Sequence, residues 1–247
     1  MEPTKQSTAG FTLIELSIVL VIIGLIIGGI LVGQNMIAAA ARQKIISEYD
    51  QYATAVNTFR AKYNCIPGDC LSATQFGLGS SNGDGDGIIV KYGAAVSDFT
   101  EMFSFWQHLA NSGITAGNYT GTHSGGAAQT SIGTNVPQSK FQPNAGWTVL
   151  HVGWFYNLDS ANWFPSPTNA NNIFLFGAQY STNQTFGPVM TVTDAFNIDQ
   201  KIDDDIPSTG NVNSLRNGST YTPSCASSAT AYNLTQGGGN QLALSRL

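Results

Sequence analysis

Residues 11–33 form a run of 23 in which Glu15 is the only ionisable side chain. No other stretch constrains the fold of this chain more. A helix of that length and composition is long enough to cross a bilayer. A carboxylate inside such a helix is costly unless something neutralises it, so Glu15 demands a partner.

The residues before Phe11 are polar and carry one Lys and one Glu. A secretory signal would place its apolar core ahead of a small-residue cleavage site. Here the order is reversed: a polar stretch, then Gly10, then the apolar core. Cleavage after Gly10 would leave the apolar segment on the mature chain and make Phe11 a free amine. The sequence Gly10-Phe11-Thr12-Leu13-Ile14-Glu15-Leu16 closely resembles the processing site of type IV prepilins and of the related pseudopilins of type II secretion. That resemblance implies a prepilin peptidase that cuts between Gly10 and Phe11 and methylates the new amine. It also implies that Glu15 of one subunit pairs with the Phe11 amine of a neighbour, which offsets the desolvation of both charges. An ordinary membrane anchor with one tolerated polar residue is the plainer alternative.

The helical pattern continues past the apolar run. Ile45, Tyr49, Tyr52, Val56, Phe59 and Tyr63 recur at spacings of three and four. Lys44, Glu48, Asp50, Arg60 and Lys62 fill the other faces. No proline interrupts 11–63, which at ~1.5 Å per residue predicts a rod of roughly 80 Å. Its first half would be bare and its second half would pack on a head. The resemblance to type IV pilins extends to this architecture and implies an α+β, pilin-like fold: a leader over 1–10, a long helix over 11–63 and a globular head over 64–247, built on an antiparallel β-sheet. Gly24, Gly28, Gly29 and Gly33 give two small-xxx-small pairs, which suit close helix packing in lipid or in a filament core. Glycine is also simply frequent in membrane helices.

The 184 residues from 64 to 247 suffice for one packed domain. Net charge is −5 and no basic cluster appears, so a nucleic-acid footprint is missing. Three cysteines are present, Cys65, Cys70 and Cys225. In an oxidising compartment Cys65 and Cys70 could close the Ile-Pro-Gly-Asp turn between them, or one of them could reach Cys225.

Two acidic segments are candidate calcium sites. Asn82, Asp84 and Asp86 alternate with glycine like the opening of a calcium loop, but the twelfth position is Gly93 rather than Glu. Asp98 or Glu101 would have to complete the set; a Gly/Asp-rich turn explains the same residues. Asp199, Asp203, Asp204 and Asp205 put four carboxylates within seven residues. Major pseudopilins resemble this in placing acidic calcium ligands in a C-terminal loop. A short helix with a solvated acidic face, balanced by Lys201, accounts for the spacing equally well.

Elsewhere, 97–111 reads as a helix capped by Asp98 and Glu101 and ended by Gly113, with Phe99, Met102, Phe103, Trp106 and Leu109 inward. The stretch 113–146 reads as loop. Strands are expected over 147–155, 173–180 and 189–192, followed by a flexible tail after Pro223. Trp147, Trp154, Tyr156, Trp163 and Phe164 suit either a core or an exposed sugar-binding platform. His108, His123 and His151 sit in no recognisable nucleophile or metal motif, so catalysis is not expected.

The resemblance implies a structural subunit, either a pilin or a type II secretion pseudopilin. Its implied partners are copies of itself, prepilin peptidase, an inner-membrane assembly platform and membrane lipid. The chain would sit in the inner membrane with its head in the periplasm, then in a filament at the cell surface, or in the periplasm if a pseudopilin. A filament-displayed carbohydrate-binding head is the alternative of another class.

Overall fold

The computed structural model describes residues 10–90, 99–123, 125, 129–151, 172–179, 185, 187–214, 226–228, 230–235, 239–240 and 242–245. One long helix, α1 (Leu13–Tyr63), opens the chain. The chain divides into two compact units, residues 1–41 and 42–247. In the first, the large apolar side chains from Phe11 to Ile37 are exposed. The helix is long and apolar enough to cross a membrane, and its most apolar stretch is unburied.

The second unit is an α+β head, and the C-terminal part of α1 belongs to it. Its sheet runs β1 (Ala145–His151), β2 (Asn172–Ala178), β8 (Leu242–Ser245), β4 (Val212–Ser214), antiparallel throughout. Two small ribbons pair β3 (Met190–Thr191) with β7 (Gly239–Asn240) and β5 (Ala226–Ser228) with β6 (Ala231–Tyr232). Helices α2 (Thr100–Asn111) and α3 (Val192–Ile202) complete it.

The stripe on α1 packs as its spacing predicts: Ile45, Tyr49, Val56 and Phe59 are buried, with Tyr52 and Tyr63 half-buried. Phe174 of β2 is the hub. Tyr49 and Tyr52 of α1, Phe105 and Trp106 of α2 and Trp147 of β1 all place a ring centroid within 6.3 Å of it. Edge-on and tilted geometries of this kind suit the ring quadrupoles and bury large apolar areas. Trp147 is fully buried, so it is core and no platform. Trp154, Tyr156, Trp163 and Phe164 lie outside the described residues.

Glu48 departs from its expected place on a solvent face. It is buried, and its carboxylate accepts hydrogen bonds from the Ser139 hydroxyl (2.6 Å), the Lys140 amide (2.6 Å) and the Trp147 indole (2.9 Å). Three donors satisfy what a buried charge would otherwise lose.

Other boundaries shift. Phe99 occupies the N-cap of α2 in helical conformation, with no side-chain cap, and Glu101 bonds elsewhere. Asp98 lies outside the described residues. Gly113 ends α2 at φ +74°. Residue 192 begins α3 instead of ending a strand, because Thr191 Oγ1 accepts the Asp194 amide and caps the helix. The tail is no loose end: its residues 242–245 pair on both sides, with β2 and with β4.

Replacing Glu48 with Ala strands the buried donors of Trp147 and Ser139, at a cost of about 2–4 kcal/mol. Denaturant titration followed by tryptophan fluorescence measures it; an unchanged midpoint would show that the carboxylate is dispensable.

Candidate functional site

At the N-terminus, Thr12 caps α1. Its carbonyl accepts from Leu16 N (3.2 Å), and its hydroxyl accepts from Glu15 N (3.3 Å). In return Glu15 Oε2 accepts from the Thr12 amide and hydroxyl, both at 2.8 Å. This is a capping box, Thr-x-x-Glu, a pattern legible in the sequence. It holds the carboxylate at the helix N-terminus, where the dipole favours an anion, on the amide of Thr12, the residue that follows Phe11. Phe11 itself is 87% exposed. A methyl group added at Gly24, Gly28, Gly29 or Gly33 would meet nothing within 4 Å, so their surfaces stand open.

The turn after α1 is closed by a Cys65–Cys70 disulfide; Cys225 lies outside the described residues. Inside the turn, Gly68 has φ +86°, and a Cβ there would strike the Glu101 carbonyl. Its amide donates to Nδ1 of fully buried His108 at 2.9 Å. Asp69 is buried as well, accepting from Gly85 N (2.6 Å) and Gly87 N (2.8 Å). Glu101 Oε1 accepts from Asp84 N at 3.1 Å.

The acidic residues that converge here are Asp69, Asp84 and Glu101, each offering an oxygen within 4.8 Å of the others. The expected trio converges differently. Asn82 Oδ1 is taken by the Thr74 amide and hydroxyl, and Asp86 Oδ1 by Ile88 N. Asp69 went unread because it lies 15 positions before Asp84, across a turn whose path no local pattern gives. Burial raises Asp69 despite its two amide donors. Burial also pushes Glu101 up to about 7, with the Asp69, Asp84 and Asp86 charges adding to it.

The second group matches its expected members. Asp199, Asp203 and Asp204 each offer an oxygen within 4.8 Å of the others. Oxygens about 2.3–2.6 Å from a common calcium ion can be separated by roughly that much. Asp203 Oδ2 accepts from Asn211 N and Val212 N, and Asp204 accepts from Ile206 N (3.0 Å) and the Thr209 hydroxyl (2.6 Å). Asp199 is fully buried; Oδ2 accepts from Tyr232 OH at 2.7 Å, while Oδ1 has no hydrogen-bond partner among the described residues. Burial pushes Asp199 up to about 7; the Tyr232 hydrogen bond and the Asp205 backbone oppose the rise, and the Asp204 and Asp203 charges add to it. Lys201 does not balance this group, since its Nζ donates to Gln43 at 2.7 Å. Among the described residues the recorded ion pair is Arg42–Asp194, at 2.7 Å.

Residues 5–31 match the prokaryotic N-terminal methylation motif. This is the cleavage motif of type IV pilins and pseudopilins. It covers Gly10, Phe11, Thr12, Glu15 and the exposed apolar helix described above. Neither comparison, with curated proteins or with solved structures, gave a match. The motif assigns the N-terminus to prepilin-type processing and leaves the head to be read from its own chemistry.

Burial depresses His108 to about 4. Its neutral form therefore contributes stability above pH ~6.5 that fades as pH falls towards ~4, about 3 kcal/mol in all. His108→Asn, which keeps an acceptor for Gly68, is expected to flatten that part of the stability–pH profile. An unchanged profile would remove His108 from the acid response.

Proposed function

We propose that this chain is a structural subunit, a pilin of a type IV pilus-like filament, without catalytic activity of its own. Prepilin peptidase cuts between Gly10 and Phe11 and methylates the Phe11 amine. Copies of the chain then assemble through α1, drawn from membrane lipid by an inner-membrane platform. The observation that carries this reading is the methylation motif coinciding with a helix whose apolar side chains, among the described residues, are left exposed. Such a surface needs lipid or other copies of itself around it. Within the assembly, Glu15 exchanges its own Thr12 amide for the Phe11 ammonium of a neighbour, and Gly24, Gly28, Gly29 and Gly33 admit close helix contact. The head faces the periplasm before assembly and the cell surface after it.

The Asp199–Asp203–Asp204 group favours a second reading, a pseudopilin of type II secretion with structural calcium in its C-terminal loop. The orphaned, buried Asp199 Oδ1 supports a cation there.

Gly10→Val is expected to block processing, leaving the full precursor in the membrane by mass spectrometry; complete cleavage would refute the assigned site. Glu15→Ala is expected to be processed yet to lower filament yield at least tenfold by electron microscopy. Normal filaments from it would rule out the subunit pairing. Calcium is expected to raise the melting temperature of the full chain in detergent, and Asp199→Asn to abolish that rise. Equal melting with calcium and with chelator would dismiss the site.

A further inference from the structure

Among the described residues of the head, the large apolar side chains left exposed are Leu71, Phe76 and Leu234. Leu71 at 64% and Phe76 at 54% exposure line the same cavity, of about 490 Å³, beside the Cys65–Cys70 turn. That volume lies in the range of small-molecule sites, about 300–1,000 Å³. Solvated Leu and Phe side chains on one concavity are an unfavourable arrangement unless something covers them.

The lining has a definite chemistry. Phe76 stands 5.4 Å from Tyr63, ring to ring, and is itself exposed. Arg60, Asn64 and Ser72 supply short-range donors and acceptors around it. The charged residues that line the cavity are one cation, Arg60, and one carboxylate, Asp69, whose oxygens are held by Gly85 N and Gly87 N. Charge therefore favours neither an anion nor a cation.

The walls are fixed in advance. The disulfide closes the turn, Gly83 N donates to the Cys70 carbonyl (3.0 Å), and Asn64 is held at φ +56° with its amide on the Arg60 carbonyl (2.9 Å). The Ser72 carbonyl accepts from Gln75 N and Phe76 N at 3.1 and 3.2 Å, setting the turn that presents Phe76. A preformed wall spares a ligand the ordering cost of binding. The lining comes from the end of α1 and the segment 64–87, with no strand edge to extend, so an added peptide strand finds no backbone partner.

We infer that this cavity binds a neutral saccharide, whose apolar C–H face stacks on Phe76 while its hydroxyls bond with Arg60, Asn64 and Ser72. The inference stands apart from the filament reading, since no residue of the processing motif takes part.

The test uses the full chain in detergent micelles against an immobilised panel of oligosaccharides ending in neutral hexoses, in N-acetylhexosamines or in acidic sugars. Saturable binding to neutral termini is expected. Phe76→Ala is expected to weaken it about tenfold, Phe76→Tyr to retain it, and Asn64→Gly, which tolerates the positive φ, to weaken it with an unchanged near-ultraviolet circular dichroism spectrum. Processing and filament yield of Phe76→Ala should match wild type, which separates a failure here from a failure of the filament reading. Absence of binding across the panel, binding confined to acidic sugars, or undiminished binding by Phe76→Ala would overturn the inference.

Discussion

A charged side chain on the inner face of α1 fixes how the helix meets the sheet. Glu48 takes its three hydrogen bonds from β1 and the turn before it, and each of those donors would be stranded if the helix slid or rotated by a turn. Hydrophobic contact alone is forgiving of such slips, because one aromatic substitutes for another; a buried carboxylate with dedicated donors is not. The rings around Phe174 supply the bulk of the burial, and Glu48 supplies the register. The C-terminal part of α1 is thereby locked into the head as firmly as its strands are.

Electrostatics in the rest of the head follows a common plan. Two sets of three acidic residues converge, and in each the backbone amides of a tight loop supply most of the compensation. Asp69 is shielded by Gly85 and Gly87, Asp203 by Asn211 and Val212. Asp199 is more deeply buried, and despite the Tyr232 hydroxyl on Oδ2 its affinity for protons rises. The first set anchors the disulfide turn to α2. The second ties the end of α3 to β4 and, through Tyr232, to β6.

Much of this was readable from the sequence, and the failures have physical causes. The stripe from Ile45 to Tyr63 was legible because apolar spacing on a long helix is a strong signal, and β2 because its run of Ile, Phe, Leu and Phe is dense. Glu48's burial is not legible there, because a pattern of polar and apolar residues sends every carboxylate outward, and its donors lie about 90 positions away. The Asp199 group was found because one helical turn and a bend bring its members together locally. Asp69 was not, because its partners are assembled by the tertiary path. Residues 242–245 were passed over since a four-residue strand after a glycine run resembles a frayed end; pairing on both sides reveals its importance.

That late strand carries a consequence for biogenesis. In the order β1-β2-β8-β4, the position between β2 and β4 is filled by the segment that emerges last of the four. A head delivered from its N-terminal side would wait with two open hydrogen-bonding edges facing a vacant slot, a state prone to pairing with foreign strands. Closure of the sheet then acts as a completeness check: a chain stalled or clipped upstream of residue 242 retains that vacancy, with the facing edges of β2 and β4 unpaired.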